Sequence, residues 1–154
     1  MATVLSPLLL FAADAAERFA HSAEMRRFES GNYYVHGIFG AGVETDLLVD
    51  TGSGYVALTR ATFARVKDLP GVTYLRNIAG SMANGKQLNV AVYRVASLKL
   101  GESCLLTDVE VAVMPGATRD ILGLSALRKV EPFALQLEPP ILYLSSCAAE
   151  TLAL

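Results

Sequence analysis

Basic residues are in no surplus in this 154-residue chain: 13 lysines and arginines stand against 15 aspartates and glutamates, for a formal net charge of −2. A nucleic-acid binder needs an excess of positive charge to displace counterions from phosphates, so that class is excluded. Cysteine is scarce as well. Cys104 and Cys147 lie far apart and form no CxxC pattern, which removes support for a zinc site or a thioredoxin-type centre and leaves open whether the two pair. His21 and His36 have no metal-ligand spacing, and each reads as a surface or packing residue.

Long apolar runs are also missing. The stretch 4–13 is too short to span a bilayer, contains Pro7 and has no basic residue before it, which argues against a membrane segment and a secretory leader. Hydrophobic residues nevertheless make up 53% of the chain and charged ones 18%, a balance that excludes disorder and allows one well-filled domain. The glycine-rich "GIFGAG" joins two β-type runs instead of opening a helix, so it is a hairpin turn and not a dinucleotide loop. Neither Ser53 nor Ser125 sits in a GxSxG elbow.

Ser6 and Pro7 suit an N-cap and a first helical position, and Phe11, Ala15, Phe19, Ser22 and Met25 follow at spacings of three or four. This pattern predicts one amphipathic helix ending near Ser30 and Gly31. Its polar face mixes both charge signs, which favours docking on its own domain over a membrane surface. From Tyr33 onward short β-type runs are punctuated by turn residues: "YYVHGIF", "TDLLVD", "YVALT", "GVTYL", "LNVAVYRVASLKLG", "LLTDVEVAVMPG", "DILGL", "FALQL" and "ILYL". Brief helices are expected over 62–67 and 125–130. The chain thus divides into a helical extension (1–30), a mainly β domain (31–146) and a tail (147–154).

The two brief helices expose a weak internal repeat. "LLVDTGSGYVALTRATFARV" and "VAVMPGATRDILGLSALRKV" each run strand, turn, strand, small-residue turn, helix. A pseudo-twofold core built this way puts the Asp50 turn and the Gly123 turn on equivalent sides.

Asp50 closes an apolar strand in "LLVDTGSGYVALT". As a plain turn residue it would accept backbone N–H bonds. Its apolar flanks make desolvation of the carboxylate costly, however, unless the group has partners or work. Paired-carboxylate chemistry needs a second acid. Asp46 on the same strand face lies about 13 Å away at roughly 3.3 Å per residue, too far to share a proton. Asp108 and Asp120 belong to no second Asp-Thr-Gly turn, and Arg119 with Asp120 reads as an exposed surface pair. Symmetry is the simpler source: two copies of Asp50 brought together by a C2 dimer.

"LLVDTGSGYVALT", the hairpin "SMANGKQ", and "RDILGLSALRKV" followed by "FALQLEPPILYL" together resemble the retropepsin-like aspartic proteases, especially the bacterial single-lobe forms, over residues 31–144. The resemblance implies a small closed β barrel that hydrolyses extended polypeptides only as a homodimer, each subunit contributing Asp50, without metal or cofactor. Thr51 matches the position whose hydroxyl reaches across to the partner loop, and Gly52 lets its backbone approach the carboxylates. Ser53 stands where viral members commonly have alanine; a hydroxyl there would stabilise the ionised carboxylate and extend activity into acid. Gly54 departs from the viral pattern, which has a nearby acid that pairs with an arginine.

Gly80, Ser81, Met82, Ala83, Asn84 and Gly85 match the flap that closes over bound peptide, with Asn84-Gly85 a strong hairpin signal and Met82 or Ile78 candidates to face the cleft. Ile121, Leu122 and Gly123 match the segment that threads beside the catalytic loop. The competing reading is a non-catalytic dimerisation or peptide-binding module on the same fold. The compartment is undetermined: the domain suits cytoplasm or periplasm, alone or within a larger or membrane-tethered precursor.

Overall fold

The computed structural model describes residues 19–81 and 84–148. Strands dominate it: β1 (His21–Arg27), β2 (Tyr33–Phe39), β3 (Val43–Val49), β4 (Val56–Leu58), β5 (Thr73–Ser81), β6 (Gln87–Leu100), β7 (Cys104–Val113), β8 (Asp120–Leu122), β9 (Phe133–Leu137) and β10 (Pro140–Leu144). Helix α1 (Arg60–Val66) follows β4, and α2 (Leu124–Leu127) follows β8, continuing into a 3-10 turn at Arg128–Val130. Thr59 caps the start of α1: its hydroxyl oxygen accepts the Thr62 N–H at 3.1 Å.

Six strands close on themselves in the order β2, β3, β8, β4, β7, β6, because the far end of β6 returns to β2 with Leu98 opposite Phe39 and Leu100 opposite Gly37. Phe39, Leu47, Leu58, Leu98, Leu100, Leu122 and Leu127 are fully buried inside, each side chain contributing about 1.5–3 kcal/mol by leaving water. The near half of β6 pairs with β5 to form a hairpin arm projecting from the barrel.

The internal repeat is expressed as interlocked pairing. The first unit is β3-β4-α1 and the second β7-β8-α2; β3 runs parallel to β8, and β4 parallel to β7. Each unit's strands thus pair with the other unit's, which brings the Asp50 turn and the Gly123 turn side by side.

The predicted N-terminal helix fails over its last part. His21–Arg27 is a strand, pairing with β10 through His21–Glu24 and with β2 through Met25–Arg27. Ala23 and Met25 are buried while Ser22, Glu24 and Arg26 are exposed, a period of two that the positions at 19, 22 and 25 disguised as a helical one. Pairing satisfies the backbone edges of β2 and β10, which a helix would leave open. Residues 21–27 therefore belong to the sheet and not to a separate extension; 19–20 and 28–30 are not helical either, and 6–18 of that predicted helix lies outside the described residues. In the tail, Cys147 forms a disulfide with Cys104, and the Ala148 N–H donates to the Leu105 carbonyl at 2.8 Å. Closing a loop with a sequence separation of 43 limits the unfolded chain by about 4 kcal/mol in the chain-entropy model. Among the described residues no helix is long and apolar enough to cross a membrane.

Candidate active site

Asp50 stands one residue past the point where β3 and β8 run side by side, Val49 opposite Leu122. Its backbone N–H donates to the Leu122 carbonyl at 3.1 Å, and its Oδ1 accepts the Gly52 N–H at 2.8 Å. The Ser53 N–H returns to the Asp50 carbonyl at 3.3 Å, and the Leu124 N–H donates to the Ser53 carbonyl at 2.8 Å. The loop is thus held by backbone bonds to itself and to the start of α2. Asp50 is half-buried, with Thr51 and Gly52 exposed beside it.

Gly123 makes this crossing possible. A β-carbon there would sit 2.0 Å from the Tyr55 carbonyl oxygen and 2.7 Å from that of Ser53. Gly52 is under a milder constraint, its notional β-carbon lying 3.1 Å from Asp50 Oδ1. Ser53 departs from expectation. Its hydroxyl donates to the Tyr55 carbonyl at 2.8 Å, so its single proton braces the loop and does not reach the Asp50 carboxylate.

No other acid of the described residues joins Asp50. Asp46 pairs with Arg26 and lies 3.5 Å from His36, whose other ring nitrogen is 3.9 Å from Glu44. Asp108 is exposed on β7. Asp120 is not the surface residue its charged neighbour suggested: it is 5% exposed. Its Oδ1 accepts the Thr59 N–H at 2.7 Å, and its Oδ2 accepts the hydroxyls of Thr45 and Thr62, each at 2.6 Å. A buried carboxylate saturated by three donors is an internal strut, tying β3 and the start of α1 to β8.

The hairpin arm carries the residues matched to the flap. Gly80 pairs with Leu88 and Ser81 with Gln87; at the tip Asn84 Oδ1 accepts the Lys86 N–H at 3.0 Å and Gly85 takes φ +78°, a conformation glycine adopts without steric cost. Gly80 gives room to a neighbour, since a β-carbon there would meet Val90 Cγ2 at 2.8 Å. Ile78 packs with Tyr55, Leu75, Leu88 and Met114 against Val90, Val92 and Ala112, an apolar patch between the arm and the loop. Met82 and Ala83 lie outside the described residues.

Two further features escaped the sequence. Ser125 Oγ accepts the Val56 N–H at 2.8 Å and donates to the Glu110 carbonyl at 2.7 Å, pinning α2 to β4 and β7. Arg76 on the arm holds Glu110 on β7 through two hydrogen bonds, 2.6 and 3.2 Å, and donates to the Tyr55 hydroxyl at 3.0 Å. Hydrogen bonding from Arg76 keeps the Glu110 carboxyl below the ordinary carboxylate range against the opposing effect of burial, and the charges of Arg76, Arg94 and Lys129 add to it. The hydrogen bonds to Glu110, then Tyr55, push Arg76 further above its usual range. Glu110 and Tyr55 lie 34 and 21 residues from Arg76, on three separate segments, which is why no local pattern announced them. Among the described residues no cluster of three or more histidines, cysteines or acids could hold a metal ion.

A closed barrel with an Asp-Thr-Gly loop beside an Ile-Leu-Gly crossing and a projecting hairpin defines one lobe of an aspartic-protease fold. A solved structure of a retropepsin-like aspartic protease from Rickettsia conorii has the same fold, with a TM-score of 0.63 and 24% identity over 84% of this chain and 94% of that one. The model of the family described as "gag-polyprotein putative aspartyl protease" matches residues 39–129, more than half of the chain. The protein belongs to this family and is a retropepsin-like aspartic protease by fold. No curated protein sequence matches it.

Proposed function

We propose that the protein is an aspartic endopeptidase whose catalytic pair consists of Asp50 from each subunit of a homodimer. The observation that carries this reading is the presentation of Asp50: half-buried, fixed from below by Leu122 and Gly52, flanked by exposed Thr51 and Gly52, and joined by no second acid of the described residues. Two such carboxylates facing each other across a twofold axis cannot both ionise comfortably, so the pair shares a proton. The ionised member takes a proton from water, which attacks the scissile carbonyl; the protonated member hydrogen-bonds the developing oxyanion. A proton then passes to the leaving amine as the carbon–nitrogen bond breaks.

In this scheme the exposed Thr51 hydroxyl reaches the partner's loop backbone and sets the spacing of the two carboxylates. Ser53 and Gly123 hold the loop, with Ile121 and Leu122 the strand beneath it. The arm over residues 80–85 closes on an extended peptide, excluding water and offering backbone hydrogen bonds. The apolar patch around Ile78 and Tyr55 supplies the wall of the cleft.

Casein or a mixed peptide digest at mildly acidic pH tests the scheme. Asp50→Asn removes the charge with little change of shape, so it should keep fold and dimer while cleavage falls by roughly a thousandfold or more. Undiminished cleavage by the variant, or a strictly monomeric protein that cleaves, would sink it.

A further inference from the structure

Beside the Asp50 loop lies an open cavity of about 790 Å³, bordered on one side by Gly54 and Tyr55. Its lining also includes Arg94 from β6 and Arg128 and Lys129 from the 3-10 turn after α2. We infer that this cavity is a subsite for an acidic side chain of the polypeptide substrate. The inference rests on the endopeptidase reading and adds to it a substrate class.

The Glu110 carboxylate and the Tyr55 hydroxyl are both engaged by Arg76. Ser125 has its donor and an acceptor position occupied by backbone. Arg94, Arg128 and Lys129 are exposed, and their side chains make no hydrogen bond or ion pair among the described residues. Against these three cations stands one uncommitted carboxylate, Asp108, also exposed. What remains is a surplus of donors without acceptors, converging from two separated stretches of chain; that complements a carboxylate and repels a lysine or arginine. Arg94, Lys129 and Glu110 all line the cavity, and both cations help to hold the Glu110 carboxyl below its ordinary range.

Position decides which part of the substrate is read. The cavity is lined at Gly54 and Tyr55, just past the catalytic loop, and its lining is mainly polar, whereas a half-buried apolar patch of Ile78 and Leu88 lies on the arm. An extended peptide held by the arm would place apolar side chains on that patch and a flanking acidic residue over Arg94, Arg128 and Lys129. In a homodimer the cavity occurs twice, once for each flank of the scissile bond.

A set of otherwise neutral peptides, with one glutamate moved stepwise along the sequence and a glutamine twin for each, tests this on the full chain. At one register on a flank the glutamate peptide should exceed its twin in kcat/KM by about five- to tenfold at low salt, the range of a charge-assisted contact at a partly solvated site. That ratio should fall to about one in the Arg94→Gln, Lys129→Gln double variant and decline with added sodium chloride. Equal cleavage of every pair, or a preference that survives the double variant, would overturn the inference while leaving the endopeptidase reading intact. Binding of the labelled peptides to Asp50→Asn protein, read by anisotropy, reports on the cavity without hydrolysis. Tighter binding of the acidic peptide that vanishes in the double variant supports the subsite even if the wild type cleaves nothing, a result that would defeat only the endopeptidase reading. Equal binding of the twins overturns the subsite.

Discussion

The carbonyl oxygen of Tyr55 occupies the place where a side chain on Gly123 would begin, 2.0 Å from its ideal β-carbon. The crossing of the Asp50 loop over the start of α2 therefore requires glycine for space, since backbone on both sides cannot swing away as a side-chain tip can. Gly123→Ala should destabilise the fold by on the order of 3 kcal/mol or more, as overpacking against fixed backbone does. Gly54→Ala provides the contrast: its β-carbon meets nothing within 4 Å, and the cost should stay near or below about 0.5 kcal/mol. Denaturant unfolding of the two variants checks the difference.

Asp120 and Thr59 define a second constraint, a buried carboxylate receiving a backbone N–H at 2.7 Å. Asp120→Ala would strand that N–H and the hydroxyls of Thr45 and Thr62, with an expected loss of roughly 3 kcal/mol. Asp120→Asn can keep its oxygen on the Thr59 N–H and turn its amide toward the two hydroxyls, which can rotate to accept. Its loss should be about 1 kcal/mol. Equal thermal shifts for the two variants would contradict this account.

Gly123 and Asp120 mark the boundary between what could be read in advance and what could not. The Asp-Thr-Gly loop and the Asn84-Gly85 hairpin are local signals, and the structure has a turn at each; Gly123, matched through the family resemblance, stands at a backbone crossing that leaves no room for a β-carbon. Asp120 was misread because its partners Thr45, Thr59 and Thr62 stand 58 to 75 residues away, so only the fold brings them together. Residues 21–27 were misread for a different reason. Phe19, Ser22 and Met25 satisfy a helical spacing while Ala23 and Met25 satisfy strand alternation, and the deciding influence was tertiary: unpaired edges on β2 and β10. The Arg76, Glu110 and Tyr55 bonds combine both difficulties, joining ordinary surface-type residues across separate strands.

Glu110 supplies a pH dependence. Its folded carboxyl, hydrogen-bonded by Arg76, gives up its proton more readily than the unfolded one, so its contribution to stability is complete above the ordinary carboxylate range. As pH falls through the lowered folded value that contribution disappears. Glu110→Gln should therefore be less stable than the wild type near neutrality, with the gap closing in strong acid. The side chains of Glu110 and Arg76 are 33% and 45% exposed, so solvent screening keeps the gap modest. Thermal unfolding of both proteins across the acid range reads it; an offset that does not change with pH would refute the assignment.

The proposed homodimer needs a surface, and β9 offers one. It is one of the two end strands of the sheet and, among the described residues, pairs only with β10. Leu135 and Leu137, two residues apart and so on the same face, are 43% and 54% exposed. An apolar, unpaired edge invites another chain, and soluble proteins usually blunt such edges with charge or cover them. A second copy laid along β9 would bury both leucines and satisfy the free backbone groups. Leu137→Lys places a charge in that contact while disturbing little in the protomer, because the side chain is mostly in solvent already. Its dimer dissociation constant should rise by about tenfold or more, and cleavage should become dependent on protein concentration over the range where the wild type is constant. Sedimentation equilibrium on the two proteins, with far-ultraviolet circular dichroism to establish an unchanged fold, decides the matter; an unaltered dimer would move the interface away from β9.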